Sequence, residues 1–234
     1  MKRANRSDVA RLAGVSEATV SYVVNDGPRP VSAETRKRVL KAIEELNYHP
    51  HAIARSLSIG TSRTVGFLAT NLISPFVNYL VNSVEVSLSQ IGYSVILASS
   101  HDDPKVELQL LDTLVSQNIA GLMLVPTTEK NRHAIEELIQ RGLPVVLIDR
   151  YIDGLQADTV VTDNVEAARH ATIRLIEMGC KHLVCLAFSR HASSALDRVK
   201  GFKIALEEKN YPVEESSVII AHGTETAAAL DAHV

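Results

Sequence analysis

The chain has 234 residues, with 24 Lys and Arg against 27 Asp and Glu, a formal net charge of −3, two cysteines and no tryptophan. This length leaves room for more than one domain, and two cysteines cannot make a disulfide framework. No apolar run reaches membrane-spanning length and the N-terminus lacks the apolar stretch of a signal peptide, so a cytoplasmic protein is expected. The charge is uneven: residues 1–63 carry 11 Lys and Arg and 6 Asp and Glu, a net of +5, whereas residues 64–234 carry 13 and 21, a net of −8. A basic head on an acidic body directs the head toward phosphate.

Residues 8–25 read as two short helices joined by a tight turn, the layout of a DNA-binding helix-turn-helix. Asn5 is placed to cap the first helix, with Asp8 reaching back as in a capping box. Val9 and Leu12 give that helix an apolar stripe, and Gly14 supplies a left-handed turn without a Cβ clash. Val15 plugs the turn and Ser16 caps a second helix running to about Asn25. Val20, Val23 and Val24 face inward, leaving Glu17, Ala18, Thr19, Ser21 and Tyr22 toward solvent. Ser32 starts a third helix, with Glu34 in its first turn and Val39, Ile43 and Leu46 at helical spacing. Pro50 ends the pattern, residues 51–57 offer one more short helical segment, and residues 58–63 read as a linker.

From Thr64 the period changes. Residues 65–69, 94–98, 121–125 and 145–148 are near-continuous apolar runs. Between them lie three helical patterns: Phe76, Leu80, Val84 and Leu88; then Leu108, Leu111, Leu114 and Val115; then Ile135, Leu138 and Ile139. Pro104 suits a first helical turn, and Gly92 and Gly142 suit helix exits. Strands buried on both faces and alternating with helices predict a parallel sheet with right-handed crossovers. A second set begins near Val160, with a helix over 165–178, a strand over 183–187 and a helix through Arg198 to Lys209. Ligands of such sheets bind beyond the strand C-termini, here at residues 71–76, 99–103, 126–128 and 149–150.

The chain closely resembles the LacI family of bacterial transcription regulators. The resemblance runs through residues 8–16 (Asp-Val-Ala-Arg-Leu-Ala-Gly-Val-Ser), 18–21 (Ala-Thr-Val-Ser), Val31-Ser32 with Glu34-Thr35-Arg36, 42–46 (Ala-Ile-Glu-Glu-Leu) and 52–57 (Ala-Ile-Ala-Arg-Ser-Leu), and continues into the body. It implies a helix-turn-helix head over 1–50, a hinge helix and linker over 51–63, and a core over 64–234 like a periplasmic sugar-binding protein. That core would have a first lobe over about 64–160 and a partial second lobe over about 161–234. The second helix would then lie in the major groove, with Glu17, Ala18, Ser21 and Tyr22 reading bases and Asn25 at its end. Ser16 and Thr19 would hold phosphate near the helix N-terminus. Position 22 is commonly Arg in the family; Tyr22 offers one hydroxyl and a ring instead of a bidentate fork, which implies an unusual half-site. Glu17 reads either as an acceptor for a cytosine amino group or simply as an acid favoured in a first turn. Leu57 matches the leucine wedged into the central minor groove, with Arg55 as a phosphate or minor-groove partner.

For the body, the resemblance places effector contacts on Ser74, Phe76, Asp149 and Arg198, the last within an Arg-x-x-Gly-Phe pattern. Arg198 brings a planar five-donor fork. Asp149 reads equally as an acceptor from sugar hydroxyls or as a strand-end acid that caps a loop. Asp163 and Asn164 read as an N-cap and hinge element, and Asp102 or Asp103 as the cap of the helix that follows. Family members usually run well beyond Val234, so a truncated chain is expected. No phosphate loop, His-Glu-x-x-His or nucleophile elbow is present, so no enzymatic activity is expected. Cys180 and Cys185, flanking His182, read as buried thiols rather than a zinc site, and no cofactor or metal is expected. The expected partners are double-stranded operator DNA, a small carbohydrate-like effector and a second copy of the chain, in a homodimeric repressor. The alternatives are a truncated DNA-binding fragment that does not respond to effector, and a periplasmic-type binding protein, which would need an export signal.

Overall fold

A computed structural model describes residues 4–25, 29–48, 62–189, 191–212 and 217–220. The chain separates into two compact units, Met1–Ser62 and Arg63–Val234. In the first unit, α1 (Arg6–Ala13) begins with the expected capping box: the Asp8 N–H donates to Asn5 Oδ1 (3.0 Å) and the Asn5 N–H to Asp8 Oδ2 (3.1 Å). It ends at Gly14, whose φ of 65° is left-handed, and the Val15 N–H reaches back to the Ala10 carbonyl (3.0 Å). Next come α2 (Glu17–Asn25) and α3 (Ala33–Glu45), the latter capped by the Ser32 hydroxyl. Val9, Ala10, Ala13, Val20, Val23, Val39, Ala42 and Tyr48 form the buried core, with Val15, Val24, Ile43 and Leu46 packed on it. Leu12 is exposed instead: the inward face of α1 is Val9, Ala10 and Ala13, and the small alanines bring α3 in close.

The second unit opens with β1 (Thr64–Ala69), α4 (Pro75–Gln90), β2 (Ser94–Ser99), α5 (Pro104–Ser116) and β3 (Gly121–Leu124). A short 3-10 turn, Glu129–Asn131, leads into α6 (Arg132–Gln140), β4 (Val145–Ile148) and β5 (Asp158–Val160). All pairings are parallel, in the order β2-β1-β3-β4-β5. Two apolar layers sandwich this sheet. Leu68, Leu122, Leu124 and Leu147 meet Leu111 and Leu114 of α5 and Ile135 and Leu138 of α6. On the other face Phe67, Ala69, Val125 and Ile148 meet Val77 of α4. Phe76, Leu108 and Val115, read as core positions from their spacing, are exposed. Pro104 begins α5, and Gly92 and Gly142 follow α4 and α6 with φ of 78° and 87°.

The chain then crosses to α7 (Asn164–Glu177), β6 (Cys185–Ala187), α8 (Ser193–Glu208) and β7 (Val218–Ile220), with β6 and β7 parallel. Asp163 caps α7 by accepting the Glu166 N–H (3.1 Å). A helical head followed by a parallel α/β body is thus the observed architecture. The strand order reverses between β1 and β3, and a crevice at the carboxyl ends of the strands is the general consequence of such a reversal.

Candidate functional site

The head presents one end of α2. Ser16 caps it, accepting the Thr19 N–H (3.2 Å) with its hydroxyl 2.9 Å from Thr19 Oγ1. Ser16, Glu17 and Ala18 are exposed, while Thr19, Ser21 and Tyr22 are half-buried. The opposite face of α2 is fixed by buried Val20 and Val23. Asn25 is the last residue of α2. A capped helix whose first turn is open offers backbone N–H groups, hydroxyls and a short variable face to a groove. Arg55 and Leu57 lie outside the described residues.

In the body, Ser74 and Phe76 follow β1, Asp149 follows β4, and Arg198 lies on α8. Ser74 is the N-cap residue of α4, without a side-chain capping bond, and exposed Phe76 sits in the first turn of α4. Asp149 follows β4 with φ of 64°, its N–H donating to the Val160 carbonyl (2.9 Å). Burial pushes the Asp149 carboxyl above its ordinary range, opposed by the positive charges of Arg150 and Arg198. Asp149 therefore sits within electrostatic reach of both Arg150 and Arg198. Arg198 Nε donates to Asn164 Oδ1 (2.8 Å), so the Asp163-Asn164 crossover both caps α7 and fixes the guanidinium.

Three residues of this region were not singled out as contacts in the sequence. Arg150 Nη1 donates to Asp102 Oδ1 (2.8 Å) and to the Pro126 carbonyl (3.3 Å), while its Nε is buried without a partner among the described residues. Asp103, not Asp102, caps α5, accepting the Lys105 N–H (2.7 Å). Asp102 is thereby released to pair with Arg150, and both His101 and Asp102 are left-handed, with φ of 52° and 60°. Tyr151 reaches α8: its N–H donates to Ser193 Oγ (2.8 Å) and its hydroxyl to Asp197 Oδ1 (3.1 Å). The available signal was the Arg-Tyr pair directly after the strand-end acid. Below these groups lies Glu107, fully buried, accepting the Thr127 N–H (2.6 Å) and the Asn131 amide (2.7 Å). It ties the loop after β3 to α5.

The arrangement offers guanidinium donors beside a half-buried carboxyl acceptor, the complement of a small molecule bearing several hydroxyls. Cys180 and Cys185 are free and partly buried, and burial raises the Cys185 thiol despite the nearby Arg198 charge. Among the described residues no group of three or more His, Cys, Asp or Glu is placed to hold a metal, and no helix is long and apolar enough to cross a membrane.

Two family models match: "Bacterial regulatory proteins, lacI family" over residues 7–51, and "Periplasmic binding proteins and sugar binding domain of LacI family" over residues 62–233. The HTH-type transcriptional repressor PurR of Actinobacillus pleuropneumoniae (serotype 5b, strain L20) is 35% identical over 208 residues, 89% of this chain and 61% of that protein. The ribose operon repressor of Haemophilus influenzae is 34% identical over 219 residues, 94% of this chain and 65% of that protein. Among solved structures, the lac repressor dimer bound to operator and the anti-inducer ONPF aligns with a TM-score of 0.81 at 25% identity, covering 97% of this chain and 68% of that one. The transcriptional regulator CelR–cellobiose complex aligns with a TM-score of 0.65 at 28% identity, covering 98% and 69%. The chain spans less than two thirds of the length of these two curated relatives. On these matches, together with the capped helix-turn-helix and the parallel body, the chain belongs to the LacI family of bacterial regulatory proteins.

Proposed function

We propose that the chain is a sequence-specific DNA-binding transcription regulator, a repressor rather than an enzyme, working in the cytoplasm as a homodimer on a two-fold symmetric operator. The observation that carries this reading is α2, which is capped at Ser16, fixed from behind by Val20 and Val23, and open at Glu17 and Ala18, in an N-terminal region, residues 1–63, with a net charge of +5. Ser16 and Thr19 hold phosphate, and Glu17, Ala18, Ser21, Tyr22 and Asn25 lie along the bases. Arg55 and Leu57 act at the operator centre, the leucine opening a base step so that the bent duplex meets more protein. The names of the relatives, the HTH-type transcriptional repressor PurR and the ribose operon repressor, support the same class.

The body takes a small polyhydroxylated effector between Asp149 and Arg198, with Ser74 and Phe76 at the mouth. The bound effector changes how the lobes close and so the affinity for operator, a coupling of about 1–3 kcal/mol in typical allosteric proteins. Thermal-shift screening of the full chain with a panel of free sugars tests this part. Stabilisation by one sugar that is lost in Arg198→Ala supports it, and stabilisation equal in the variant removes Arg198 from the site.

A further inference from the structure

Two pairs of residues interleave where the five-stranded lobe meets α8. Asp149 and Arg198 are the electrostatic pair of the proposed effector site. Tyr151 and Asp197, two positions and one position away in sequence, are joined by a hydrogen bond of 3.1 Å. Tyr151 is anchored on the sheet side, because the neighbouring Ile152 is buried in the core formed by Leu68, Leu124 and Leu147. Asp197 and Ser193 belong to α8, whose Phe202, Ala205 and Leu206 are buried and which packs on α7 and β6. Both hydrogen-bond donors of Tyr151 are thus spent on the other lobe, the N–H on Ser193 Oγ and the hydroxyl on Asp197 Oδ1.

We propose that Tyr151 is a closure latch: its two hydrogen bonds to α8 hold the lobes together beside the effector site, so Tyr151 sets how readily the cleft closes without touching the effector. Two lobes of one chain move relative to one another by default unless their interface is large and hydrophobic, and each hydrogen bond spanning them biases that equilibrium directly. Partial burial and the adjoining Asp197 carboxylate raise the pKa of the Tyr151 phenol, which keeps it the donor. An effector bridging Asp149 and Arg198 draws together the same two segments, so latch and effector act in one direction. This role rests on the cleft reading given above for its regulatory meaning, but the latch exists in the unliganded chain.

The test uses the full chain without effector, with Cys180→Ser and Cys185→Ala, and spin labels at Lys130→Cys and Lys200→Cys, two exposed positions on the two sides. Tyr151→Phe, which deletes only the hydroxyl, is expected to move the distance distribution toward longer separations. The closed-to-open ratio should fall roughly three- to tenfold, the effect of one hydrogen bond. Asp197→Ala is expected to do the same, and the double variant no more than either alone. Ser193→Ala, removing the other bond, is expected to shift the distribution in the same direction, which guards against one variant failing to fold. Distributions identical to the parent in Tyr151→Phe and Ser193→Ala, or shifts that simply add in the double variant, overturn the latch. Since no effector is present, failure of the latch and failure of the carbohydrate reading are separate results.

Discussion

Gly201 of α8 stands directly against the Val165 carbonyl of α7, with no room for a Cβ between the two backbones. The Gly of the Arg-x-x-Gly-Phe pattern is therefore a helix-crossing residue, and it fixes the height at which Arg198, one turn earlier, meets Asn164. Gly201→Ala is expected to destabilise the body by about 3 kcal/mol, the upper part of the range for overpacking. Chemical denaturation followed by circular dichroism checks it. A loss under 0.5 kcal/mol, about the size of an ordinary surface substitution, would show that the helices separate at little cost.

Glu107 carries the clearest pH dependence. Burial raises its pKa above the ordinary 4.5, against the hydrogen bonds from Asn131 and Thr127 and the charge of Arg150. An acid whose folded pKa is raised favours folding fully only below its unfolded value. That contribution is lost as pH rises from about 4.5 through the higher folded pKa. Glu107→Gln is expected to flatten this part of the stability profile, measured by denaturant titrations across the acidic range. Glu107→Ala leaves the Thr127 N–H and one of the two Asn131 amide N–H donors unpaired, the other still bonding the Pro104 carbonyl, at about 2–4 kcal/mol for the two.

At the head, Asn5→Ala removes half of the capping box and is expected to cost about 1 kcal/mol of head stability. Hydrogen exchange at the α1 amides, with the body unchanged, is the measurement. Unchanged protection would mean that the Val15 to Ala10 closure alone holds α1.

Tyr22→Arg is expected to change base preference at one position of each half-site by about 1–3 kcal/mol, as a bidentate fork replaces a single hydroxyl. Leu57→Ala is expected to weaken specific binding while sparing the salt-dependent non-specific part. Competition binding with single-base operator variants reads both. Equal loss on every sequence would make Tyr22 a backbone contact.

The elements with strong local chemistry were legible. The Asn5–Asp8 box, Gly14, Pro104 and the four long apolar runs each state a backbone requirement in one or two residues. What spacing could not decide was which side of a helix faces the core. Leu12, Phe76, Leu108 and Val115 all fall on helical periods, yet each is exposed, because the neighbouring Ala10 and Ala13, Val77, Leu111 and Leu114 take the inward positions. β5 went unread because its three residues are all exposed and polar at Asp158 and Thr159. β7, with only Val218, Ile219 and Ile220, was too short to count as a run. Asp149 and Arg198 were singled out through the family resemblance. Arg150 and Tyr151 were not legible, since their partners Asp102, Ser193 and Asp197 lie more than 40 positions away and meet them only in the folded chain.

The most direct measurement is selection of random-sequence DNA by the chain, with binding followed against salt. Recovery of a two-fold symmetric site with a fixed centre is predicted, because two heads each place α2 in one half-site and share the centre. Weak, steeply salt-dependent binding with no recovered motif would contradict sequence-specific dimeric recognition and leave only the basic charge of the head.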